Sequence, residues 1–216
     1  MKSFLIIGVG RFGRHLATKL VELGNEVMVV DKDEEKVKRV APVATAAHVG
    51  DCQDEKVVEA LGVSNFDVCF VCVRDDFQCS LEVTSMLKDA GAKYVIARAD
   101  REVQIKFLKK IGADMVVHTE MDMAVRMAIR FSAKNAFEYF EFTPNYAVFE
   151  ITTPRDWVGK AVLQVDVRNK FRVNIIGIKK GEDITPLMDV NHLFSAEEHL
   201  IIAGDREAGI RIMDKK

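Results

Sequence analysis

The segment Phe4-Leu-Ile-Ile-Gly-Val-Gly-Arg-Phe-Gly13 carries the plainest chemistry in the chain, backbone N–H groups gathered around three glycines and suited to phosphate oxygens. Gly8 permits a tight turn, Gly10 lets backbone approach a phosphate, and Gly13 lets a following helix pack against the strand. The first N–H groups of that helix and its dipole then receive the negative charge. A second apolar segment, Val27 to Val30, stops at Asp31, where a carboxylate roughly 20 residues past the glycines accepts ribose hydroxyls. Glycine triplets alone also occur in ordinary turns. Strand, triplet, amphipathic helix (Leu16, Ala17, Leu20, Val21, Leu23), strand and acid in this order define a βαβ unit of the dinucleotide-binding type.

Other reactive side chains lack a catalytic setting. Cys69 and Cys72 form a C-x-x-C inside an apolar strand, whereas redox pairs of this spacing open a helix that lowers the thiolate pKa. With no histidine at ligand spacing nearby, they and Cys52 and Cys79 read as core residues rather than a zinc site. Ser80 and Ser85 have no G-x-S-x-G around them, His192 and His199 sit in no acid/base pattern, and no Walker A lysine is present. The glycine loop binds and nothing beside it reacts, so a sensor is expected rather than an enzyme. The formal charge is −2 over 216 residues, with 30% charged and 49% hydrophobic residues. That balance argues against nucleic acid or an anionic membrane surface as partner. No apolar run reaches the roughly 20 residues of a membrane span. Only Lys2 precedes the first strand, so no signal peptide is expected.

The elements that must position this loop follow in regular alternation. After Asp31 come a charged helix through Lys36 to Val40 and a strand from Thr45 to Val49. A helix from Glu55 to Leu61 and a strand from Val68 to Val73 follow. Phe77 to Ala90 reads as a helix, Tyr94 to Ala97 a strand, Glu102 to Ile111 a helix, and Met115 to His118 a strand. Six strands alternating with helices predict a doubly wound, parallel α/β sheet of Rossmann type over residues 1–120, in the order 3-2-1-4-5-6. A linker helix is expected within 121–143, from about Met121 to Phe140, its Met123, Met127 and Phe131 stripe suited to packing or to a second subunit. Thr143-Pro144-Asn145 breaks it. Residues 144–216 read as a smaller α+β lobe, with strands at Ala147 to Ile151, Arg172 to Lys179 and His199 to Ala203, near the lower size limit for its own core.

Several motifs together make the chain resemble the cytosolic regulatory subunits of Trk/Ktr-type bacterial potassium transporters, the RCK or KTN proteins, and within them the KtrA type. They are the glycine loop, the strand ending at Asp31, Gly50-Asp51, Lys109-Lys-Ile-Gly-Ala-Asp114, His118-Thr-Glu-Met-Asp122 and Val167-Arg-Asn-Lys-Phe171. The resemblance covers nearly the whole length. It implies adenine nucleotide binding in the first lobe and a second dimer interface in the smaller lobe. It also implies homodimers assembled into a ring, commonly an octamer, on a membrane-embedded potassium transporter subunit. Exchange of ATP for ADP would change the ring and the pore. The chain is thus expected to be cytoplasmic, peripheral at the inner face of the cell membrane through its partner, with no membrane insertion of its own.

Within that frame Gly8, Val9, Gly10, Phe12 and Gly13 form the phosphate turn, and Arg11 can reach a terminal phosphate in its own site or across a dimer. The alternative for Arg11 is a solvated surface position. Asp31 is expected on ribose, with Lys32 beside it, and Asp51 and Cys52 near the adenine edge. Val73 and Arg74 would border base and ribose, and Arg98 would meet phosphate or a helix. Glu120 matches the family glutamate that helps hold Mg²⁺ or Ca²⁺ near the γ-phosphate, or else is an acid opening a helix. Arg168, Asn169 and Lys170 match the region where some relatives bind cyclic di-AMP; spacing alone makes them a charged turn. Asp51 and Arg74 depart from the KtrA pattern and leave ATP/ADP against NAD(H) open. A small NAD-dependent oxidoreductase or an NAD(H) redox sensor is the rival reading.

Overall fold

The computed structural model describes residues 1–74, 76–132, 136–187 and 189–213. The chain divides into two compact units, Met1–Met121 and Asp122–Lys216.

The first unit alternates strands with helices, in the order β1 (Ser3–Ile7), α1 (Arg11–Glu22), β2 (Glu26–Asp31), α2 (Glu34–Val40), β3 (Ala46–Val49) and α3 (Glu55–Ala60). It continues with β4 (Val68–Val71), α4 (Phe77–Asp89), β5 (Val95–Arg98), α5 (Glu102–Ile111) and β6 (Met115–Val117). The six strands pair in parallel in the order β3-β2-β1-β4-β5-β6, as the alternation predicts. Both faces are covered, which is why β1 is an unbroken apolar run rather than an alternating one. Leu5 and Ile7 join one buried cluster with Val71, Val83, Leu87 and Leu108, while Phe4 and Ile6 join another with Ala17, Val27, Val29 and Val40. Cys69 and Cys72 fall in opposite clusters, and burial pushes both thiols up to about 12. They pack and cannot pair across the sheet.

Helix α6 (Thr119–Ser132) leads from the first unit into the second. The expected helix to Phe140 is corrected here: β7 (Ala136–Thr143) is a strand, paired antiparallel with β8 (Tyr146–Thr152), and 133–135 lie outside the described residues. The apolar positions of Phe140 to Phe142 alternate with acids, and Tyr139 is buried against Phe149, a period of 2 that a helix cannot satisfy. Pro144-Asn145 therefore closes a hairpin instead of ending a helix. Met121, Met123, Met127 and Phe131 are exposed along α6.

The remaining elements are α7 (Val162–Val165), α8 (Val167–Phe171), β9 (Val173–Lys180), β10 (Asp183–Pro186), β11 (His199–Asp205) and α9 (Arg206–Met213). Their sheet is antiparallel, ordered β10-β9-β11-β8-β7. A core of Phe149, Ile151, Trp157, Leu200, Ile202 and Ile212 gives this unit its own apolar interior. Among the described residues no helix is long and apolar enough to cross a membrane.

Candidate functional site

A cleft of about 820 Å³ opens at the C-terminal ends of β1, β2, β4 and β5, in the crevice where strand order reverses. Its floor is the glycine turn. Gly8 has φ +91°, and a Cβ there would lie 3.1 Å from the Cys72 carbonyl carbon. A Cβ on Gly13 would lie 2.1 Å from the Gly8 carbonyl oxygen, so only glycine lets α1 approach β1 this closely. Gly13 thus shapes the turn while Gly8, Val9, Gly10, Arg11 and Phe12 line the cleft. Gly10 caps α1 with no side chain bonded to the helix end and no acid in the first turn, and nothing lies within 4 Å of where its Cβ would be. Among the described residues no side chain caps the first N–H groups of this 12-residue helix, which open toward the cleft.

Asp31, at the end of β2, is held from two sides. Its Oδ2 accepts the Val9 N–H at 2.8 Å and its Oδ1 the Asp33 N–H at 2.9 Å. Each oxygen retains acceptor capacity toward the cleft, which suits two vicinal hydroxyls. Lys32 stands beside it, and Lys36 and Arg39 from α2 add to the same wall. On the far side Asp51 accepts the Gln53 N–H at 3.1 Å, next to buried Cys52. Burial, reinforced by Asp51, lifts the Cys52 thiol to about 12, so it presents a neutral, soft surface to the cleft. Val73 and Arg74 follow β4 on the third side.

Arg98 closes the cleft at the end of β5. Its side chain is 8% exposed, its Nη2 donates to Glu120 Oε1 at 2.6 Å and to Asp100 Oδ1 at 3.3 Å, and it stands 5.8 Å from the Phe12 ring centre. A hydrogen bond from the Thr119 hydroxyl, then the pairing with Arg98, holds the Glu120 carboxyl down to about 2. Glu120 thus faces an arginine, and among the described residues no group of three or more His, Cys, Asp or Glu is arranged to hold a metal ion.

The residues expected from the sequence at the base, ribose and phosphates therefore meet in one cleft. Arg14, Lys36, Arg39, Asp76 and Cys79 also line it and were not anticipated. The signal was helical spacing: Arg14 follows Arg11 by one turn on α1, and Lys36 and Arg39 are one turn apart on α2.

A second cavity, about 700 Å³, lies in the second unit. Arg168 lines it and donates through Nε to Asn174 Oδ1 at 2.7 Å, with Val162, Ile175, Leu187 and Val190 as apolar walls. Asn169 instead donates to Asp166 at 2.7 Å, and Lys170 is exposed on the same turn. Asp166 and Arg172 bracket α8 in the left-handed region at φ 54° and 55°, which tightens the turn that presents Arg168. Leu187 and Val190 were missed because they follow β10, far along the chain, and Asn174 because its meeting with Arg168 depends on how the turn after α8 enters β9.

Fold and cleft together define a nucleotide-type Rossmann domain joined to an antiparallel α+β unit. A TrkA-N domain matches residues 4–119 and a TrkA-C domain residues 146–215. The chain belongs to this TrkA-N/TrkA-C family of Ktr- and Trk-type potassium uptake proteins. It is 36% identical to the Ktr system potassium uptake protein C of Bacillus subtilis (strain 168), over 94% of this chain and 92% of that protein. Protein A of the same system and organism is 32% identical, over 95% of this chain and 93% of its own length. Among solved structures, the GsuK channel superposes on all of this chain with a TM-score of 0.72 at 17% identity, and a GsuK channel bound to NAD with 0.65 at 17%. This chain spans 40% of each of those channel chains, a likeness of fold.

Proposed function

We propose that the chain is a nucleotide-sensing regulatory subunit of a Ktr/Trk-type potassium uptake system, reading ATP against ADP in the cleft above β1 and β4. The observation that carries this reading is the uncapped start of α1 facing a cleft whose cationic residues include Arg11, Arg74 and Arg98, with Asp31 anchored beside it on the Val9 N–H. The same carboxylate disfavours a ribose 2′-phosphate by repulsion. Among the described residues of the cleft none is paired as nucleophile with base or as acid with base, in keeping with a switch. Arg11, from this or a neighbouring subunit, would distinguish a γ-phosphate, and only such differential contact can shift a conformational equilibrium. Glu120 would share a Mg²⁺ or Ca²⁺ ion with phosphate oxygens once it parts from Arg98. The Met-bearing face of α6 supports a homodimer building toward an octameric ring, docked on a membrane-embedded potassium transporter subunit at the inner face of the cell membrane. The second cavity, with Arg168, is the place for cyclic di-AMP.

NAD(H) is the second reading. It is favoured by Arg74 and Asp51 on the base and ribose side and by the GsuK channel bound to NAD. A thermal-shift panel of ATP, ADP, NAD⁺, NADH and cyclic di-AMP, with and without Mg²⁺ or Ca²⁺, separates these by linkage. The expected result is stabilisation by ATP and ADP above NAD(H), with Arg11→Ala weakening ATP roughly tenfold and ADP little. Stabilisation by NADH alone would transfer the site to redox sensing. Equal losses for ATP and ADP would remove the γ-phosphate role of Arg11.

A further inference from the structure

At the β5 end of the cleft two arginines face two carboxylates. Arg98 gives one guanidinium edge to Glu120 and Asp100, and Arg74 brings a second guanidinium to 3.9 Å from Glu120 and 4.0 Å from Asp100. The pairing is lopsided. Although the Arg98 side chain is buried, its Nε has no hydrogen-bond acceptor among the described residues. A buried guanidinium N–H without an acceptor is costly, so the arrangement is one acceptor short. Glu120 is 56% exposed, turned toward solvent, and also accepts from Thr119 Oγ1 at 2.7 Å. Arg98 and Arg74 both line the cleft.

We infer that Glu120 is a built-in competitor for the nucleotide's phosphate: it occupies the Arg98 edge without ligand and is displaced when a phosphate takes Arg98 and Arg74. This rests on the nucleotide reading of the cleft and adds its regulation. A phosphate offers two or three oxygens in place of one carboxylate edge, enough to fill Nη2 and the orphaned Nε together. Asp100, on the same Arg98 Nη2 at 3.3 Å and 4.0 Å from Arg74, competes in the same sense. Glu120 is the second residue of α6, the helix that runs from the first unit into the second. Phosphate arrival therefore exchanges the anion that ties the start of that helix to β5. Once released, the Glu120 carboxylate is free for a divalent cation, so cation and phosphate would favour each other's binding even without touching the same protein atom.

The sign of one measurement tests this. If Glu120 served only as a cation ligand, Glu120→Gln would leave cation-free binding unchanged. As a competitor, its loss tightens binding when no cation is present. Calorimetric titration of ADP and ATP in excess EDTA should show E120Q binding about three- to fivefold tighter than wild type. Asp100→Asn should move in the same direction by less, and Arg98→Gln should lose roughly tenfold. With Mg²⁺ added, the E120Q advantage should vanish. An independent readout on wild type covers a variant that fails to fold. The Arg98 Nε–H resonance, assigned by its loss in Arg98→Lys, should shift downfield on ADP addition in EDTA. E120Q binding equal to or weaker than wild type in EDTA, or an unmoved Nε–H resonance, overturns the competitor role while leaving the nucleotide site intact. Absence of binding by wild type and variants alike overturns the nucleotide reading and this inference with it.

Discussion

Two glycines three residues apart in the same turn carry different duties. Gly13 is packed onto the Gly8 carbonyl, so any side chain there must push α1 off β1. Gly10 has open space above it, so a methyl there touches only what enters the cleft. Gly13→Ala should therefore cost ~2–4 kcal/mol and lower the melting temperature by roughly 5–10 °C. Gly10→Ala should cost under ~1 kcal/mol yet weaken ADP by roughly tenfold. Paired thermal melts and ADP titrations check this; a Gly10 variant that melts as early as the Gly13 variant would contradict it. Both glycines were legible in the sequence, because a steric requirement for no side chain leaves glycine as its direct trace. The Arg98–Glu120 pair was not, since its members are 22 positions apart and meet only because β5 ends and α6 begins at the same edge of the cleft.

At the level of elements, the second sheet contains a buried charge network that binds three strands. Glu150 on β8 accepts from Lys179 on β9 at 2.9 Å and meets His199 on β11 at 2.8 Å, with Glu138 of β7 opposite it in register and itself paired to Arg126. Burial alone would raise the Glu150 carboxyl, but the bonds from His199 and Lys179 outweigh it and hold it below the usual carboxylate value. A depressed carboxylate stabilises the fold above its unfolded pKa, and that contribution is lost as pH falls through its lower folded value. Glu150→Gln should thus cost ~1–3 kcal/mol near pH 7, with the gap to wild type narrowing as the solution is acidified below the carboxylate range. Urea unfolding at several pH values measures this, and a gap independent of pH would exclude Glu150 as its source. In the sequence His199 opens an expected strand, and nothing local marks what its ring meets. Its pairing depends on antiparallel register, which local pattern does not encode. The same holds for β7: the alternation of Tyr139 to Phe142 is short and follows directly on the helical stripe of α6, so its period is masked along the chain.

For the whole molecule, separate cores predict separable unfolding. The only tryptophan of the chain, Trp157, is buried in the second unit between Phe171 and Phe194, at ring distances of 5.7 and 5.8 Å. Its fluorescence reports that unit alone, whereas far-UV ellipticity reports both. Saturating ADP, at about a hundredfold over its Kd, should stabilise the first unit by ~2.7 kcal/mol and shift the ellipticity transition upward, with a smaller shift at Trp157. Identical shifts in the two signals would mean the units unfold as one.

Local order along the chain determined the parallel sheet, its strand sequence, the glycine turn and Asp31, because each is set by contacts between neighbouring segments and by period. Family membership followed from the same motifs. Only the tertiary structure decided what faces what. It placed Lys36 and Arg39 in the same cleft as Asp31, joined Arg168 to Asn174, folded 136–143 onto β8, and set Glu120 against a buried Arg98 with a bond to spare. Such pairings depend on strand register and on which ends of distant elements converge, and a linear pattern carries neither.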